Sequence, residues 1–383
     1  MTAWRTAAAL LLLVVALRIL SGRPALARIF RWFPLPLWCY LVPLFAVTCG
    51  WLPAGDPTYA RVTTMLLPPG LALLLFGAAL GALWRTGGPA LIAAGAGAAA
   101  IMLGTPLGVW WLRAQLPPEA WKGAGALAGT WTGGTMNLLA LRGVLDVPDA
   151  VFAPLILVDA LMAYGWMALL VAASGWRVPI DAWLRADDRR AETAQHPAAD
   201  AGAPADWRPL AAGIALAVLV AAGARALAAH LPATRLISRD GVGILLTTTA
   251  ALGLSFLPPV RRAGAAGEPV GYLCLYLVLA ATGAQANLAA LAAAPAWLAV
   301  GGVTVLLHGA VLLSVGRMRR IPLSVLATAS QANLGGVVSA PLVGAVYHRS
   351  LAPVGLILAM AGNAAGTYLG LGAAELCRWL TGG

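Results

Sequence analysis

The chain has 383 residues, of which 61% are hydrophobic and only 10% charged, with a formal net charge of +11 and a mean hydropathy of +0.83. A soluble globular domain carries about 25% charged residues, so this composition excludes one and specifies an integral membrane protein. In a soluble chain the excess of arginine would point to nucleic acid. Here Arg18, Arg23, Arg28 and Arg31, then Arg261 and Arg262, then Arg317, Arg319 and Arg320 gather in short stretches between apolar segments, the bias that orients membrane proteins, and no nucleic-acid partner is expected.

In chain order, about twelve apolar segments fall at roughly 6–20, 36–52, 60–84, 89–112, 122–143, 149–174, 209–231, 240–258, 269–288, 291–316, 322–346 and 352–376. Most are long enough for a hydrocarbon core about 30 Å thick. The first has the look of a signal peptide, with Arg5 before it and Pro24-Ala25-Leu26-Ala27 after it, but Arg18 interrupts the run and more arginines follow. That pattern predicts a first transmembrane helix. Tryptophans such as Trp4, Trp51, Trp84, Trp110, Trp111 and Trp207 sit near segment ends, where aromatic anchoring accounts for them. Cys39, Cys49, Cys274 and Cys377 lack the close pairing of a metal site, and no cofactor is expected.

The one long hydrophilic stretch, 177–208, contains Asp187-Asp188-Arg189-Arg190 and Gly202-Ala203-Pro204. It divides the chain into a first repeat, 1–176, and a second, 209–383, with six apolar segments on each side. Landmarks recur at an offset between about 199 and 206 residues: Phe76-Gly77-Ala78 with Thr282-Gly283-Ala284, Gly133-Gly134 with Gly335-Gly336, Pro154 with Pro353, Asp159 with Asn363, and Tyr164 with Tyr368. Their common order is the signal of an internal repeat.

A glycine pair flanked by uncharged polar side chains lies inside one apolar segment of each half: Thr130-Trp131-Thr132-Gly133-Gly134-Thr135-Met136-Asn137 and Ser330-Gln331-Ala332-Asn333-Leu334-Gly335-Gly336. In hydrocarbon every backbone N–H and C=O needs a partner, so such breaks belong where protein or a cavity protects them. Matched broken segments in two halves point to a transporter's binding site. If each broken segment dips in and returns, every half crosses five times and the second is inverted; if it crosses, the halves are parallel. Total Lys and Arg by side do not separate these. The cluster Arg18 to Arg31 beside the first helix favours inversion, with 177–208 cytoplasmic. An unwound segment that still crosses, with another failing to span, satisfies the same parity.

These segments, with Gly283-Ala284-Gln285-Ala286-Asn287-Leu288 and Gly366-Thr367-Tyr368-Leu369-Gly370-Leu371, resemble the signatures of the bacterial membrane family called domain of unknown function 819. The likeness extends over nearly the whole chain. Through that family the chain is distantly similar to sodium/glutamate, 2-hydroxycarboxylate and bile acid:sodium symporters, all-α proteins of inverted repeats. The resemblance implies a multi-pass protein of the bacterial inner membrane that performs secondary transport. It names no substrate.

The residues themselves carry a matching chemistry. Thr130, Thr132, Thr135, Asn137, Ser330, Gln331 and Asn333 supply neutral oxygens, and unwound carbonyls at Gly133, Gly134, Gly335 and Gly336 add more, as Na+ requires. Half-helix N-termini after each break would favour an anionic group such as a carboxylate. The plainer reading is that small and polar residues let helices approach and hydrogen-bond. Asp159, inside an apolar segment, is the candidate proton or cation carrier, and its repeat partner Asn363 has the shape without the charge. Gln285 and Asn287 are candidates for a gate or for simple capping. His308 would hydrogen-bond across helices or, as the less favoured reading, titrate near neutral pH, and Arg225 would snorkel.

No nucleotide-binding G-x-x-x-x-G-K-[ST] loop or H-E-x-x-H motif occurs, and a single intramembrane aspartate cannot make a dyad. An enzyme is not expected. The leading reading is a secondary transporter of a small organic, carboxylate-bearing solute coupled to Na+ or H+. A channel or a non-transporting sensor is the alternative. Partners are the solute and lipid, with a homodimer left open.

Overall fold

The computed structural model describes residues 3–26, 29–30, 35–78, 87–186, 207–231, 239–285, 293–348 and 350–382. Among these the secondary structure is helical, without strands. Among the described residues eight helical stretches are long and apolar enough to cross a membrane: Trp4–Ser21, Pro57–Phe76, Gly88–Gln115, Asp149–Leu184, Trp207–Ala228, Pro258–Gln285, Ala294–Arg319 and Leu351–Thr381. The protein is an all-α polytopic membrane protein.

In chain order the helices are α1 (Ala3–Ser21), α2 (Leu35–Thr48), α3 (Pro57–Phe76), α4 (Gly88–Leu112), α5 (Ala120–Gly133), α6 (Thr135–Leu145), α7 (Asp149–Ala173) and α8 (Arg177–Leu184). After the centre come α9 (Trp207–Ala228), α10 (Arg239–Leu254), α11 (Pro258–Gln285), α12 (Ala294–Arg319), α13 (Leu323–Leu334), α14 (Gly336–Tyr347) and α15 (Leu351–Thr381). The apolar segment expected at 269–288 begins earlier as a helix, at Pro258. Proline is pre-organised for a first turn, and the alanines and glycines that follow continue it. Arg261 and Arg262 therefore lie on a helix rather than in a loop. The hydrophilic stretch also opens as structure: α8 buries Leu184, and its Asp181 accepts the Leu323 N–H at 2.7 Å, capping α13. Residues 187–206 lie outside the described residues.

The chain forms two compact units. Unit 1 comprises Met1–Gly77, Arg142–Leu161 and Trp207–Trp297. Its centre is α3 against α11, where glycines face backbone or short side chains: a Cβ on Gly70 would stand 2.8 Å from Cys274 Cβ, and one on Gly264 would meet Phe76 at 2.5 Å. Gly283 admits the Tyr40 backbone of α2 in the same way. Arg225 of α9 donates to the Thr64 carbonyl of α3 at 2.7 Å. Arg142 pairs with Asp149 at 2.7 Å, donates to the Thr282 hydroxyl and lies over the Phe152 ring.

Unit 2 comprises Ala78–Leu141, Met162–Asp206 and Leu298–Gly383. Its tightest crossing is α5 against α15. Gly125, Gly129 and Gly133 on one helix meet Gly370, Gly366 and Gly362 on the other, an antiparallel pair of stripes with one glycine per turn. A Cβ on Gly129 would reach 3.1 Å from the Gly366 carbonyl, and one on Gly370 would reach 2.7 Å from that of Gly125. Lipid tails are as apolar as leucine, so close approach through small residues replaces the hydrophobic effect between membrane helices.

Valine at Gly129 or Gly366 is expected to lower the thermal unfolding midpoint of the purified protein by several degrees. Gly165→Ala, where nothing stands within 4 Å of the new Cβ, leaves the midpoint unchanged or raises it, because alanine is the better helix former. A second expectation concerns Asp56, which accepts from the Thr6 hydroxyl at 2.6 Å and the Thr58 N–H at 2.9 Å at the start of α3. The Thr6 hydroxyl foremost, with Thr58, holds the carboxyl down at about 2. A lowered carboxylate contributes stability above its ordinary value of 3.8 and loses it as pH falls toward 2. The midpoint gap between wild type and Asp56→Ala is therefore expected to be constant from pH 5 to 8 and to shrink below pH 4.

Candidate functional site

Both glycine pairs break their helices, and they do so in the same way. Helix α5 ends at Gly133 and α6 begins at Thr135; α13 ends at Leu334 and α14 begins at Gly336. The second glycine of each pair carries the break, with φ of +75° at Gly134 and +73° at Gly336. That left-handed region costs other residues about 1–2 kcal/mol. The first glycine makes room for a polar side chain. A Cβ on Gly133 would strike the Asn137 amide, and one on Gly335 would strike both the Gln331 amide and the Ser339 hydroxyl.

Polar side chains hydrogen-bond around both breaks, and at the first one of them takes over a helix carbonyl. Asn137 Nδ2 donates to the Gly133 carbonyl at 2.5 Å and to that of Asn363 at 3.2 Å, and its Oδ1 accepts from the Thr367 hydroxyl at 2.6 Å. Across the second break, Gln331 Nε2 donates to Ser339 Oγ at 2.9 Å. Asn333 Nδ2 reaches the Ala94 carbonyl of α4 at 3.0 Å. The Thr132 hydroxyl bonds back to Ala128 at 2.8 Å. Thr130, Thr132, Asn137, Ser330, Gln331 and Asn333 are all buried, whereas Thr135 is half-buried at the start of α6.

The two breaks meet. Within unit 2, a Cβ built on Gly336 would stand 3.9 Å from Gly134 Cα, and one on Gly134 would stand 3.2 Å from Asn363 Oδ1. The N-terminal ends of α6 and α14 therefore converge, and a helix N-terminus carries partial positive charge. Among the described residues, two buried polar atoms beside the breaks have no hydrogen-bond partner: Trp131 Nε1, a donor, and Gln331 Oε1, an acceptor. No cluster of three His, Cys, Asp or Glu side chains occurs among the described residues.

A second network joins α13 to its neighbours. Trp166 Nε1 donates to Ser330 Oγ at 2.8 Å, His308 Nε2 lies 2.8 Å from the same oxygen, and His308 Nδ1 lies 3.0 Å from the Gly97 carbonyl. A carbonyl only accepts and an indole only donates, so the pattern assigns the proton to Nδ1. Ser330 then donates to Nε2, and every member is satisfied with a neutral imidazole.

Of the coupling candidates, Asn363 joins the break region through Asn137. Asp159 lies half-buried in α7, in unit 1, and Gln285 ends α11 with its amide donating to the Ala281 carbonyl of its own helix at 3.0 Å. Asn287 lies outside the described residues. Sequence reasoning did not single out Trp166, Gly97, Ser339 or the hydroxyl of Thr367. Only the glycine stripes had a readable signal, the four-residue spacing on both helices.

Asn137→Ala is expected to strip partners from Gly133, Asn363 and Thr367 at once, a loss of about 1–3 kcal/mol. Thr367→Val removes one of those bonds. In a double-mutant cycle read by denaturant or thermal unfolding, the two should couple, since they share the bond.

The family described as protein of unknown function (DUF819) matches over residues 9–380. No curated protein matches it.

Proposed function

The chain belongs to the DUF819 family, and we propose that it is a secondary active transporter of a small organic anion. Its solute bears a carboxylate, and Na+ or H+ drives it. The observation that carries this reading is the meeting of Gly134 and Gly336. Two helix N-termini converge from opposite halves of the sequence, and their first-turn N–H groups favour an anion. The buried Trp131 Nε1 donor suits an oxyanion, and the Gln331 Oε1 acceptor suits a cation. Broken helices at corresponding positions of two repeats are a recurring way to build such a site. For the coupling ion, neutral oxygens around the breaks favour Na+, while Asp159 keeps H+ in play. We place the protein in the bacterial inner membrane, with 177–208 on the cytoplasmic side and the second repeat inverted relative to the first.

The test is uptake by reconstituted vesicles, screened with carboxylates and amino acids under imposed Na+ or H+ gradients. Accumulation against the solute gradient that collapses with an ionophore is expected, together with a ligand-dependent rise in unfolding temperature. Thr135→Val, a half-buried position outside the packed core, should diminish both. Flux that only follows the solute gradient and ignores the ionophore would mean a channel, and binding without flux would mean a sensor.

A further inference from the structure

Away from the breaks, unit 2 has a cleft of about 360 Å³ where two spans end. Gly88 and Ile92 line it from the first turns of α4, and Met318, Arg319, Arg320 and Ile321 line it from the end of α12 and the turn beyond. Span ends lie at the level of the lipid headgroups. A cleft between two span ends is placed at that level.

Its lining is amphipathic in a particular way. Ile92 and Met318 form an apolar wall, while Arg319 and Arg320 are exposed cations. No carboxylate among the described residues lines the cleft. Among the described residues neither arginine forms an ion pair, although Arg142, Arg177 and Arg378 each have a carboxylate partner. Arg320 is also placed at some cost. It has a φ of +55°, and the Ile321 N–H turns back to the Gly316 carbonyl at 2.9 Å. This is the helix-ending turn that ordinarily takes glycine at that position. The buried Ile321 closes the turn, and the arginine stands at its tip.

Two guanidinium groups without carboxylates match a phosphate, whose oxygens accept their forked donors. The apolar wall beside them matches hydrocarbon. We infer that this cleft binds an acidic phospholipid of the surrounding leaflet, with Arg319 and Arg320 on its phosphate and Ile92 and Met318 against its glycerol and upper acyl chain. Free inorganic phosphate would engage the arginines alone and leave the apolar wall uncovered.

The test compares unfolding midpoints of the purified protein in phosphatidylcholine bilayers with and without phosphatidylglycerol, alongside native mass spectrometry for retained lipid. Phosphatidylglycerol should raise the midpoint by several degrees and be retained. The double variant Arg319→Gln/Arg320→Gln should lose most of that rise, while Arg261→Gln/Arg262→Gln, equal in charge change but elsewhere, keeps it. Arg320→Gly suits the turn, so it folds and should still weaken lipid retention. Equal losses in the two double variants would reduce the effect to diffuse charge attraction. An unchanged response in Arg320→Gly and the Arg319/Arg320 double variant would overturn the site. Inorganic phosphate giving the same rise in phosphatidylcholine alone would replace the lipid by a free anion.

Discussion

Hydrocarbon offers no partner to a backbone N–H or C=O, and the rest of this structure follows from how two interrupted helices meet that constraint. Each break has one glycine to turn the chain and one to admit polar side chains, which at the first break take over a carbonyl the helix loses. At the first, Asn137 reaches back to Gly133 and across to Asn363 and Thr367. At the second, Gln331 and Ser339 bridge the gap directly. The polar residues around the breaks are therefore first of all structural, and this explains their burial. Beside the breaks stand an unpartnered indole donor, an unpartnered amide acceptor and the converging N-terminal ends of two helices.

Close helix contact is the second requirement, and glycine supplies it in both units. In unit 2 the paired stripes on α5 and α15 bring Gly362 and Gly366 against the very turn that ends at Gly133. The crossing thus holds Asn363 and Thr367 where Asn137 can use them. In unit 1 the same device joins α3 to α11 through Gly70, Gly264 and Gly271. Each unit takes stretches from both halves of the sequence, so the recurrence of Gly133-Gly134 in Gly335-Gly336 is an arrangement inside one compact body rather than a feature of two separate ones.

Much of this was legible beforehand for a simple reason. A transmembrane helix must be long and apolar, so composition and segment length give the class and most boundaries. A glycine pair among hydroxyls and amides in such a segment has few uses besides a break. Boundaries failed where a polar stretch remains helical, as at Pro258, because apolarity marks what lies in lipid and not where hydrogen bonding stops. The hydrophilic stretch departs in part from expectation because α8, at its start, is a short amphipathic helix that buries Leu184 and caps α13 through Asp181. Sequence marks His308 as a hydrogen-bonding group without naming its partners, since Gly97, Trp166 and Ser330 come from three other helices.

The sequence by itself determined the all-α membrane class, the family, and the places where two helices stop and restart, because these depend on local apolarity and on glycine's freedom to adopt positive φ. Only the tertiary structure decided that the two restarts face each other at Gly134 and Gly336. It alone showed that Asn137 spends its amide on the break, and that Trp131 and Gln331 each keep one polar atom in reserve. Those outcomes depend on which helices pack together, and glycine–glycine contact, carrying no side chain, leaves no chemical label to say which stripe meets which.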